Sequence, residues 1–372
     1  MQIVPVRSRS ELDRFVDVAF TVYRDFPNWV APLKSSVRKT LTPGKNPFWN
    51  RAERELYIAV RDGRDVGRIA AIVDSNYNRY RKSTTGFFGF FECLDDDRAA
   101  GALFEAAAQW CRARGMSRML GPANPSVNDE AGLLVEGFNS PPFIKMAFNP
   151  EYYVDMVEAA GFNKAKDLHA YIAPVNQPLP EKLARVIEKL KRRKGIRVRP
   201  VDLRKLKSEL EVIKDIYNDA WADNWDFAPM SDDEIDDLAA QLKPLAEPVL
   251  CPIVEYNGEP AAMAVGLPDY NQILHRLNGS LAPFGWLRFL TQRRRITQLR
   301  VWALGVKRKF QGLGLDALLY YESRRGAQNL GYDRAEVSWI LEDNEAIIRP
   351  ITMMRGRWYK TYRMYDRSLQ PA

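Results

Sequence analysis

The order of predicted helices and strands is the same in the two halves of this 372-residue chain. In the first half, a short strand and a helix lead into a hairpin at Asp62-Gly63, and then come a strand, a helix, a strand, a helix and a closing strand. The same order returns after Pro174–Pro180, a proline-rich segment that suits neither a helix nor a strand. Such a repeat predicts duplication of one domain. We therefore expect an α/β protein whose sheets are mixed, as in α+β folds.

The proline-rich segment also sets the predicted domain boundaries. A first domain is expected at 1–173, a linker with one helix at 174–195, and a second domain at 196–372. The two copies differ most in the middle, because the second inserts 271–298 between its third and fourth strands. The insert is therefore the segment expected to carry the most information about the substrate.

Two helix starts carry a capping signal. Ser10 is predicted to cap the first helix of the chain. Ser231, with Glu234 three residues later, forms the capping-box pattern, so a helix of the second copy is predicted to begin there.

The stretch Leu299–Leu315 carries the main functional signal. An apolar, β-branched run ends in a basic turn with two glycines, and a helical pattern starts at once. A Gly-rich loop at a helix N-terminus suits phosphate, because its backbone N–H groups and the helix dipole both favour an anion. Lys307, Arg308 and Lys309 add three positive charges. An ordinary surface turn between a strand and a helix is the alternative.

The net charge of +8 is unevenly placed along the chain. From Tyr270 to Leu315 there are nine basic residues and no acidic one. This local excess predicts an anionic partner, which is a phosphorylated cofactor, an acidic lipid surface or a nucleic acid.

Other residue types argue against several classes of site. The three cysteines are scattered and lack metal-ligand spacing, so we interpret them as reduced packing residues. With only two histidines, a Ser-His-Asp triad and a His-rich metal site are both disfavoured, and no metal is expected. The sequence contains no run of about 18 apolar residues, and charges stand where a signal peptide needs an apolar stretch. We expect a cytoplasmic protein.

The order of elements and the motif Gln311-Gly312-Leu313-Gly314 resemble the GNAT acyltransferase fold, whose signature is Gln/Arg-x-x-Gly-x-Gly/Ala after the fourth strand. The resemblance implies that this loop binds the pyrophosphate of coenzyme A through backbone amides. It also implies that the preceding strand holds the acyl-pantetheine arm of an acyl-CoA donor, with an acyl carrier protein as the alternative carrier. The cofactor-binding residues implied are Leu304, Gly305, Val306, Arg308, Lys309, Gln311, Gly312, Leu313, Gly314 and Asn344.

Some positions depart from the GNAT pattern. Asp316 replaces the last glycine or alanine of the signature, which puts a carboxylate near the expected phosphates. Thr352 stands where many members carry a tyrosine, and Tyr359 and Tyr362 just beyond are the expected substitutes. In the first copy, the corresponding loop contains Asp95-Asp96-Asp97, whose charges would repel phosphate. The first copy is therefore expected to be degenerate for coenzyme A.

A closer resemblance extends over nearly the whole chain. It rests on strings such as GFFGFFE at 86–92, GPANPSVNDEAGLLVEGF at 121–138, EVSWILEDN at 336–344 and YKTYRMY at 359–365. With these strings the chain is similar to a family of bacterial tandem-GNAT proteins to which bacterial ceramide synthases belong. The resemblance implies two tandem GNAT domains, with the acyl-CoA site in the second.

Acyl transfer from a thioester to an amine needs a neutral amine, a polarised carbonyl and a proton for the thiolate. Strand amides around 304–306 are expected to polarise the carbonyl. The predicted base is Glu342, and after it Glu336, because both belong to the strand beside the cofactor strand or to its end. A helix cap is the alternative for Glu342. The predicted proton donor is Tyr359 or Tyr362, on opposite faces of one strand, with packing as the alternative for each.

Two further segments are predicted to meet the acceptor. One is the polar loop after the first copy's fifth strand, for which hydrogen bonds that brace the loop are the alternative. Its candidate substrate-binding residues are Asn124, Ser126, Asn128 and Glu130. The other is the insert, where Phe284 and Trp286 lie in an apolar run beside Arg293–Arg295. This pattern is typical of a segment that contacts anionic lipid, of one that binds RNA, or of one that is buried against the two domains.

These interpretations favour one function over two alternatives. The favoured function is transfer of a fatty acyl group to the amine of a long-chain, sphingoid-type base, as the resemblance to bacterial ceramide synthases implies. The alternatives are acetyl transfer to a small amine or a protein, and a binding protein without activity. We expect peripheral contact with the inner face of the inner membrane, no nucleic-acid partner, and a monomer or a weak dimer.

Overall fold

The computed structural model describes residues 1–280 and 285–370. The described residues form two compact units. The first unit contains 1–168, 273–280, 285–290 and 360–370. The second unit contains 169–272 and 291–359.

Strands and helices alternate along most of the chain. The strands are β1 (Gln2–Pro5), β2 (Ala52–Arg61), β3 (Arg64–Asp74), β4 (Thr85–Cys93), β5 (Arg118–Gly121), β6 (Ala123–Asn124), β7 (Glu130–Ala131), β8 (Leu133–Glu136), β9 (Asn163–Pro174), β10 (Ile196–Pro200), β11 (Pro252–Tyr256), β12 (Glu259–Pro268), β13 (Gln298–Val306), β14 (Arg334–Leu341) and β15 (Arg357–Ser368). The helices are α1 (Arg9–Val22), α2 (Lys34–Leu41), α3 (Ser75–Arg81), α4 (Asp97–Arg112), α5 (Tyr153–Ala159), α6 (Glu181–Lys191), α7 (Leu206–Trp221), α8 (Asp232–Leu242), α9 (Asn271–Leu274), α10 (Gly285–Gln292), α11 (Leu315–Asn329) and α12 (Glu345–Met353). Over the described ranges, no helix has both the length and the apolar character needed to cross a bilayer.

The first helix begins earlier than predicted. Ser8, and not Ser10, caps α1, since its hydroxyl accepts a hydrogen bond from the Glu11 N–H while the Glu11 carboxylate accepts one from the Ser8 N–H. This reciprocal pair is a capping box. Asp13, which stands three residues after Ser10, binds the guanidinium of Arg38 instead.

The sheet of the first unit has the strand order β1-β2-β3-β4-β5-β15. Its neighbouring strands are antiparallel except β4 and β5, which are parallel because α4 connects them as a crossover. The helices α1 and α4 pack on this sheet through fully buried side chains such as Phe15, Leu103 and Phe104. Each such side chain contributes roughly 1.5–3 kcal/mol, which keeps the helices in place.

The sheet of the second unit repeats this plan with the order β9-β14-β13-β12-β11-β10. Here β13 and β14 are the parallel pair, and α11 connects them. Because side chains alternate along a strand, β11 presents Val254 to α11 and α6 on one face and Ile253 to α7 on the other. The mixed α/β class and the duplicated plan are therefore as the sequence predicted.

The closing strands are exchanged between the two halves of the chain. β15, at the end of the chain, lies beside β5 of the first unit, whereas β9, at the end of the first half, lies beside β14 of the second unit. The compact units thus differ from the predicted domains 1–173 and 196–372, and the first unit also takes up part of the predicted insert. Local sequence cannot distinguish these pairings, because the edge of either sheet satisfies the hydrogen bonds of a strand.

Candidate active site

β13 and β14 separate in the middle of the second unit's sheet. Their parallel ladder ends at the pair Val301–Val337, although both strands continue for several residues. On its other side, β13 has a bulge against β12 at Trp302. A bulge and the end of a ladder both leave backbone N–H and C=O groups without strand partners. The predicted residues 304–306 lie on this open edge, where a ligand can take up those hydrogen bonds.

The glycine loop follows directly and leads into the N-terminus of α11. Gly314 is the N-cap with φ 80°, and no side chain in the described part of the chain caps this helix. Gly312 has φ 76°, and a Cβ there would meet no atom within 4 Å. The first N–H groups of α11 therefore have no side-chain cap, and together with the positive end of the helix dipole they are favourable for binding phosphate.

Two neighbours of Gly314 hold the loop in shape. Gln311 donates a hydrogen bond from Nε2 to the Val306 carbonyl at 3.4 Å. Leu313 packs against the buried apolar cluster beneath α11. Of the predicted cofactor residues, these two therefore have clear structural roles.

The three basic residues before the loop are ion-paired, and a contact of Arg308 and Lys309 with phosphate stays a prediction. Lys307 binds Asp215 at 2.5 Å, Lys309 binds Glu259 at 2.6 Å, and Arg308 binds a second α7 carboxylate, Asp219, through its backbone N–H and its guanidinium. Burial lowers the pKa of Lys307, but the hydrogen bonds and negative charges of Asp215 and Glu259 together outweigh it, and the pKa is raised. Binding of an anion by the backbone of the loop also stays a prediction.

The corresponding place in the first unit is filled by the chain itself. Asp96 caps α4, accepting hydrogen bonds from the N–H groups of Arg98 and Ala99, so a carboxylate occupies the helix N-terminus. The ladder between β4 and β5 also ends early, but the Asn124 side chain accepts a hydrogen bond from the Phe90 N–H at 2.6 Å beyond it. Side chains of the first unit thus occupy both places, and loss of coenzyme A binding by the first copy stays a prediction.

A buried polar network lies beside the point where β13 and β14 separate. Glu336 and Arg300 are opposite each other in the ladder, each with no exposed surface, and their side chains approach to 3.7 Å. The Ser338 hydroxyl links them, since it donates to Glu336 at 2.7 Å and accepts from Arg300 Nε at 2.9 Å. The Tyr359 hydroxyl donates a short hydrogen bond to the other Glu336 oxygen. The structure thus joins one predicted base to one predicted proton donor.

The remaining predicted catalytic residues lie elsewhere. Glu342 is half-buried in the turn between β14 and α12. The cap of α12 is Asn344, whose side chain accepts a hydrogen bond from the Ile347 N–H, so the alternative of a Glu342 cap does not hold. Tyr362 belongs to the first unit and is fully buried, with its Cβ close to Gly132. A catalytic role for Glu342 or Tyr362 stays a prediction.

Sequence reasoning missed Arg300 and Ser338 as members of the network. A signal was present, because Arg300 interrupts the apolar run of β13 and a charged residue inside a buried strand needs a partner. The partner's identity depends on the register between β13 and β14, which the sequence does not give.

The polar loop of the first unit is braced by its own hydrogen bonds. Asn124 Nδ2 donates to Glu130 at 3.0 Å, the Ser126 hydroxyl donates to Asp129 at 2.7 Å, and the Asn128 N–H donates to the Ser126 hydroxyl at 3.2 Å. These are the bonds expected if the polar residues brace the loop, which is the alternative to a role in substrate binding. Contact with an acceptor stays a prediction for these residues.

Residues 273–280 of the insert pack within the first unit. The Lys34 N–H donates to the Gly279 carbonyl at 3.1 Å, and a ring nitrogen of His275 lies 2.7 Å from the Pro27 carbonyl. Of the predicted substrate residues in the insert, Phe284 lies outside the described residues and Trp286 is described only as a residue of α10. The prediction that they meet a substrate is therefore untested.

An apolar cavity of the second unit lies between α11, the sheet and Pro174–Pro180, a segment that we call the strap. Sequence reasoning interpreted the strap only as a linker. Leu304 on β13 is one of the walls, so the cavity adjoins the open strand edge. The other wall residues used below are Leu179, Leu299, Val301, Ser323, Ala327, Ala335 and Val337. A metal-binding group of three or more His, Cys, Asp or Glu side chains is not found within 1–280 and 285–370.

The chain is similar to known proteins both in sequence and in structure. No family model matches the chain. The chain is 38% identical to the bacterial ceramide synthase of Caulobacter vibrioides (strain NA1000 / CB15N), with 99% of this chain and 98% of that protein covered. It is 31% identical to the protein YghO of Escherichia coli (strain K12), with 97% and 94% covered.

Solved structures with the same fold share little sequence. A tandem GNAT protein from the clavulanic acid biosynthesis pathway superposes with a TM-score of 0.59 at 11% identity and covers 100% of this chain and 99% of its own. A GCN5-related N-acetyltransferase from Sphaerobacter thermophilus gives a TM-score of 0.54 at 11% identity, with 100% and 96% covered. These likenesses establish a tandem GNAT fold over the whole chain.

Proposed function

The chain belongs to the tandem-GNAT family of the bacterial ceramide synthase, and we propose that it is an acyl-CoA-dependent N-acyltransferase acting on a long-chain, sphingoid-type amine. One observation carries the proposal: in the second unit an uncapped helix N-terminus follows an open strand edge. In the first unit the same two places hold Asp96 and Asn124. The relationship to the Caulobacter enzyme supports the class of acceptor.

The donor would bind along β13. Backbone N–H groups at Gly314 and the first turn of α11 would hold the pyrophosphate, since the helix dipole and the absence of a side-chain cap favour an anion there. The pantetheine arm would then follow the open edge from Val306 toward Val301 and form the strand-like hydrogen bonds that β14 leaves unmade. This path brings the thioester to the place where the two strands separate.

The acceptor's proton would pass through the buried network. The Tyr359 oxygen takes the proton that the attacking nitrogen loses, while Tyr359 passes its own proton to the Glu336 carboxylate, which Arg300 and Ser338 hold in place. A bond forms between nitrogen and the carbonyl carbon, and the carbon–sulfur bond breaks. The proton returns through Tyr359 to the thiolate, so free coenzyme A and an amide are the products.

Purified protein incubated with sphinganine and acyl-CoAs of two to twenty carbons tests this proposal. Free thiol and N-acyl product are measured in parallel, and a reaction without amine reports simple hydrolysis of the thioester. We expect equal amounts of thiol and amide, with long-chain donors turned over faster than acetyl-CoA.

Two results would contradict the proposal. Faster turnover of acetyl-CoA with small amines would favour an acetyltransferase. Absence of thiol release with every donor, together with absence of coenzyme A binding in calorimetry, would favour a binding protein without activity.

A further inference from the structure

We propose that the apolar cavity beneath the strap takes the acyl chain of the donor and sets the chain length that this protein accepts. The inference rests on the proposed function, because it assigns the donor's chain to the same site. The cavity adjoins the expected thioester position through Leu304 and Val301, which are wall residues and also lie at the open end of β13.

The cavity extends away from the glycine loop along the sheet. Its walls on β13 run from Leu304 down to Leu299, a length of about 16 Å at the usual rise of a strand. Ala335 and Val337 of β14 lie on the same face of the sheet. Glu336, between them, faces the opposite side and belongs to the polar network. The sheet therefore separates the space for the chain from the groups that handle protons.

Small side chains create the empty space. Ser323 and Ala327 are one turn apart on α11, and they line the cavity together with Ala335 of the sheet. The Ser323 hydroxyl is buried and has no hydrogen-bond partner in the described part of the chain. A site lined in this way offers methylene groups an apolar surface and offers water few hydrogen bonds, so a hydrocarbon chain fits it better than a polar ligand does.

The strap closes the cavity and is fixed in place. The Val175 carbonyl accepts hydrogen bonds of 2.8 Å from both Arg324 Nε and Gln328 Nε2 of α11, and the Val175 N–H donates to the Asp333 carbonyl at 2.9 Å. Prolines on both sides restrict the backbone of the strap. Leu179 of the strap contributes to the wall. Because three hydrogen bonds fix the strap over the cavity, the strap limits the length of acyl chain that can enter.

Binding of coenzyme A and of acyl-CoAs with two, eight, twelve and sixteen carbons, measured by calorimetry, tests this inference without requiring turnover. The wild-type chain is compared with Ala327→Leu, which fills the cavity, and with Ala346→Leu, the same change at an exposed position of α12. In the wild type we expect affinity to rise about four-fold for each methylene that is buried, until the cavity is full. In Ala327→Leu the rise should stop at a shorter chain, while the affinity for coenzyme A itself is unchanged.

A second variant covers the case in which Ala327→Leu does not fold. Leu179→Ala enlarges the cavity from the strap and should move the limit to longer chains. The inference would be overturned if affinity did not depend on acyl-chain length. It would also be overturned if neither variant moved the chain-length limit while Ala346→Leu behaved as wild type. Either result would leave the proposed function unaffected. If coenzyme A itself does not bind, the proposed function fails, and the inference fails with it.

Discussion

The Tyr359 hydroxyl donates a hydrogen bond to Glu336, a carboxylate with no exposed surface at the point where the two parallel strands of the second unit separate. This contact joins a group that can give up a proton to one that can receive it. It lies on the face of the sheet opposite the apolar cavity, so that acid–base chemistry and chain binding are spatially separated within one unit.

The buried ion pair of Glu336 with Arg300 leads to a prediction about stability. Glu336→Leu leaves the Arg300 guanidinium buried without its carboxylate, and we expect a loss of about 3 kcal/mol in the free energy of unfolding measured with urea. The double variant Arg300→Met/Glu336→Leu should recover most of that loss, because no buried charge remains. A double variant as unstable as the single one would show that the pair is not the cause.

Gly312 is predicted to matter for the cofactor more than for the fold. Gly312→Ala and Gly331→Ala introduce a methyl group at positions with φ of 76° and 79°, and neither methyl would meet an atom within 4 Å. Both should cost about 1 kcal/mol of stability, since only the left-handed backbone is strained. Gly312→Ala alone should weaken coenzyme A binding several-fold in calorimetry, because its methyl enters the space of the pyrophosphate. Equal affinities in the two variants would contradict this placement of the loop.

The chain is expected to bind one molecule of coenzyme A, not two. Calorimetry of the wild type should give a stoichiometry of one, since Asp96 occupies the helix N-terminus of the first unit. Asp96→Ala should also bind one, because Asn124 still fills the gap beside β4, although loss of the cap should cost about 1 kcal/mol in stability. A stoichiometry of two in either protein would contradict the assignment of the site to the second unit.

Acid sensitivity is predicted for the pair Asp167–Arg363 in the first unit. Burial raises the pKa of Asp167, but hydrogen bonds from Arg363 and Lys164 outweigh it, and the pKa is lowered from its ordinary value of 3.8. A carboxyl group with a lowered pKa stabilises the fold above pH 3.8 and loses that contribution as the pH falls through the lower, folded-state value. Asp167→Asn should lower the free energy of unfolding by about 2 kcal/mol at pH 7 and by progressively less below pH 3.8.

Urea unfolding at a series of pH values measures this difference. Asp62→Asn, the same chemical change in an exposed turn, serves as the control and should follow the wild type throughout. If the difference in the free energy of unfolding between Asp167→Asn and the wild type stays constant down to the lowest pH, the ion pair is not the source of the acid sensitivity.

Much of the fold could be predicted because the signals are local. The hairpins follow Asp-Gly and Asn-Gly turns, and the capping box at Ser231 and Glu234 is present as predicted. Ser8 and Glu11 carry the same pattern two residues before Ser10, the predicted cap. The exchange of the closing strands could not be predicted, because the pairing of a strand with one of two similar sheets depends on tertiary packing.

The site was predictable only in part, for the same reason. The glycine loop follows from a run of adjacent residues, and the structure places it at a helix N-terminus. The partners of Lys307 and Arg308 could not be predicted, because Asp215 and Asp219 lie about ninety residues earlier and reach the loop only through the packing of α7. The pairing of Glu336 with Tyr359 likewise required the register of three strands.

Tyr359 is proposed to transfer the proton in the acyl-transfer step, and one comparison of rates tests this role directly. Formation of amide from an isotopically labelled long-chain acyl-CoA and sphinganine is followed in single turnover for the wild type, Tyr359→Phe and Tyr365→Phe. The last variant is the matched control, since it also removes a hydrogen bond between a tyrosine of β15 and a glutamate, Glu158. We predict that Tyr365→Phe reacts at the wild-type rate and that Tyr359→Phe is slower by at least about 100-fold, with unchanged affinity for coenzyme A. A Tyr359→Phe protein that forms amide at the wild-type rate would contradict the account.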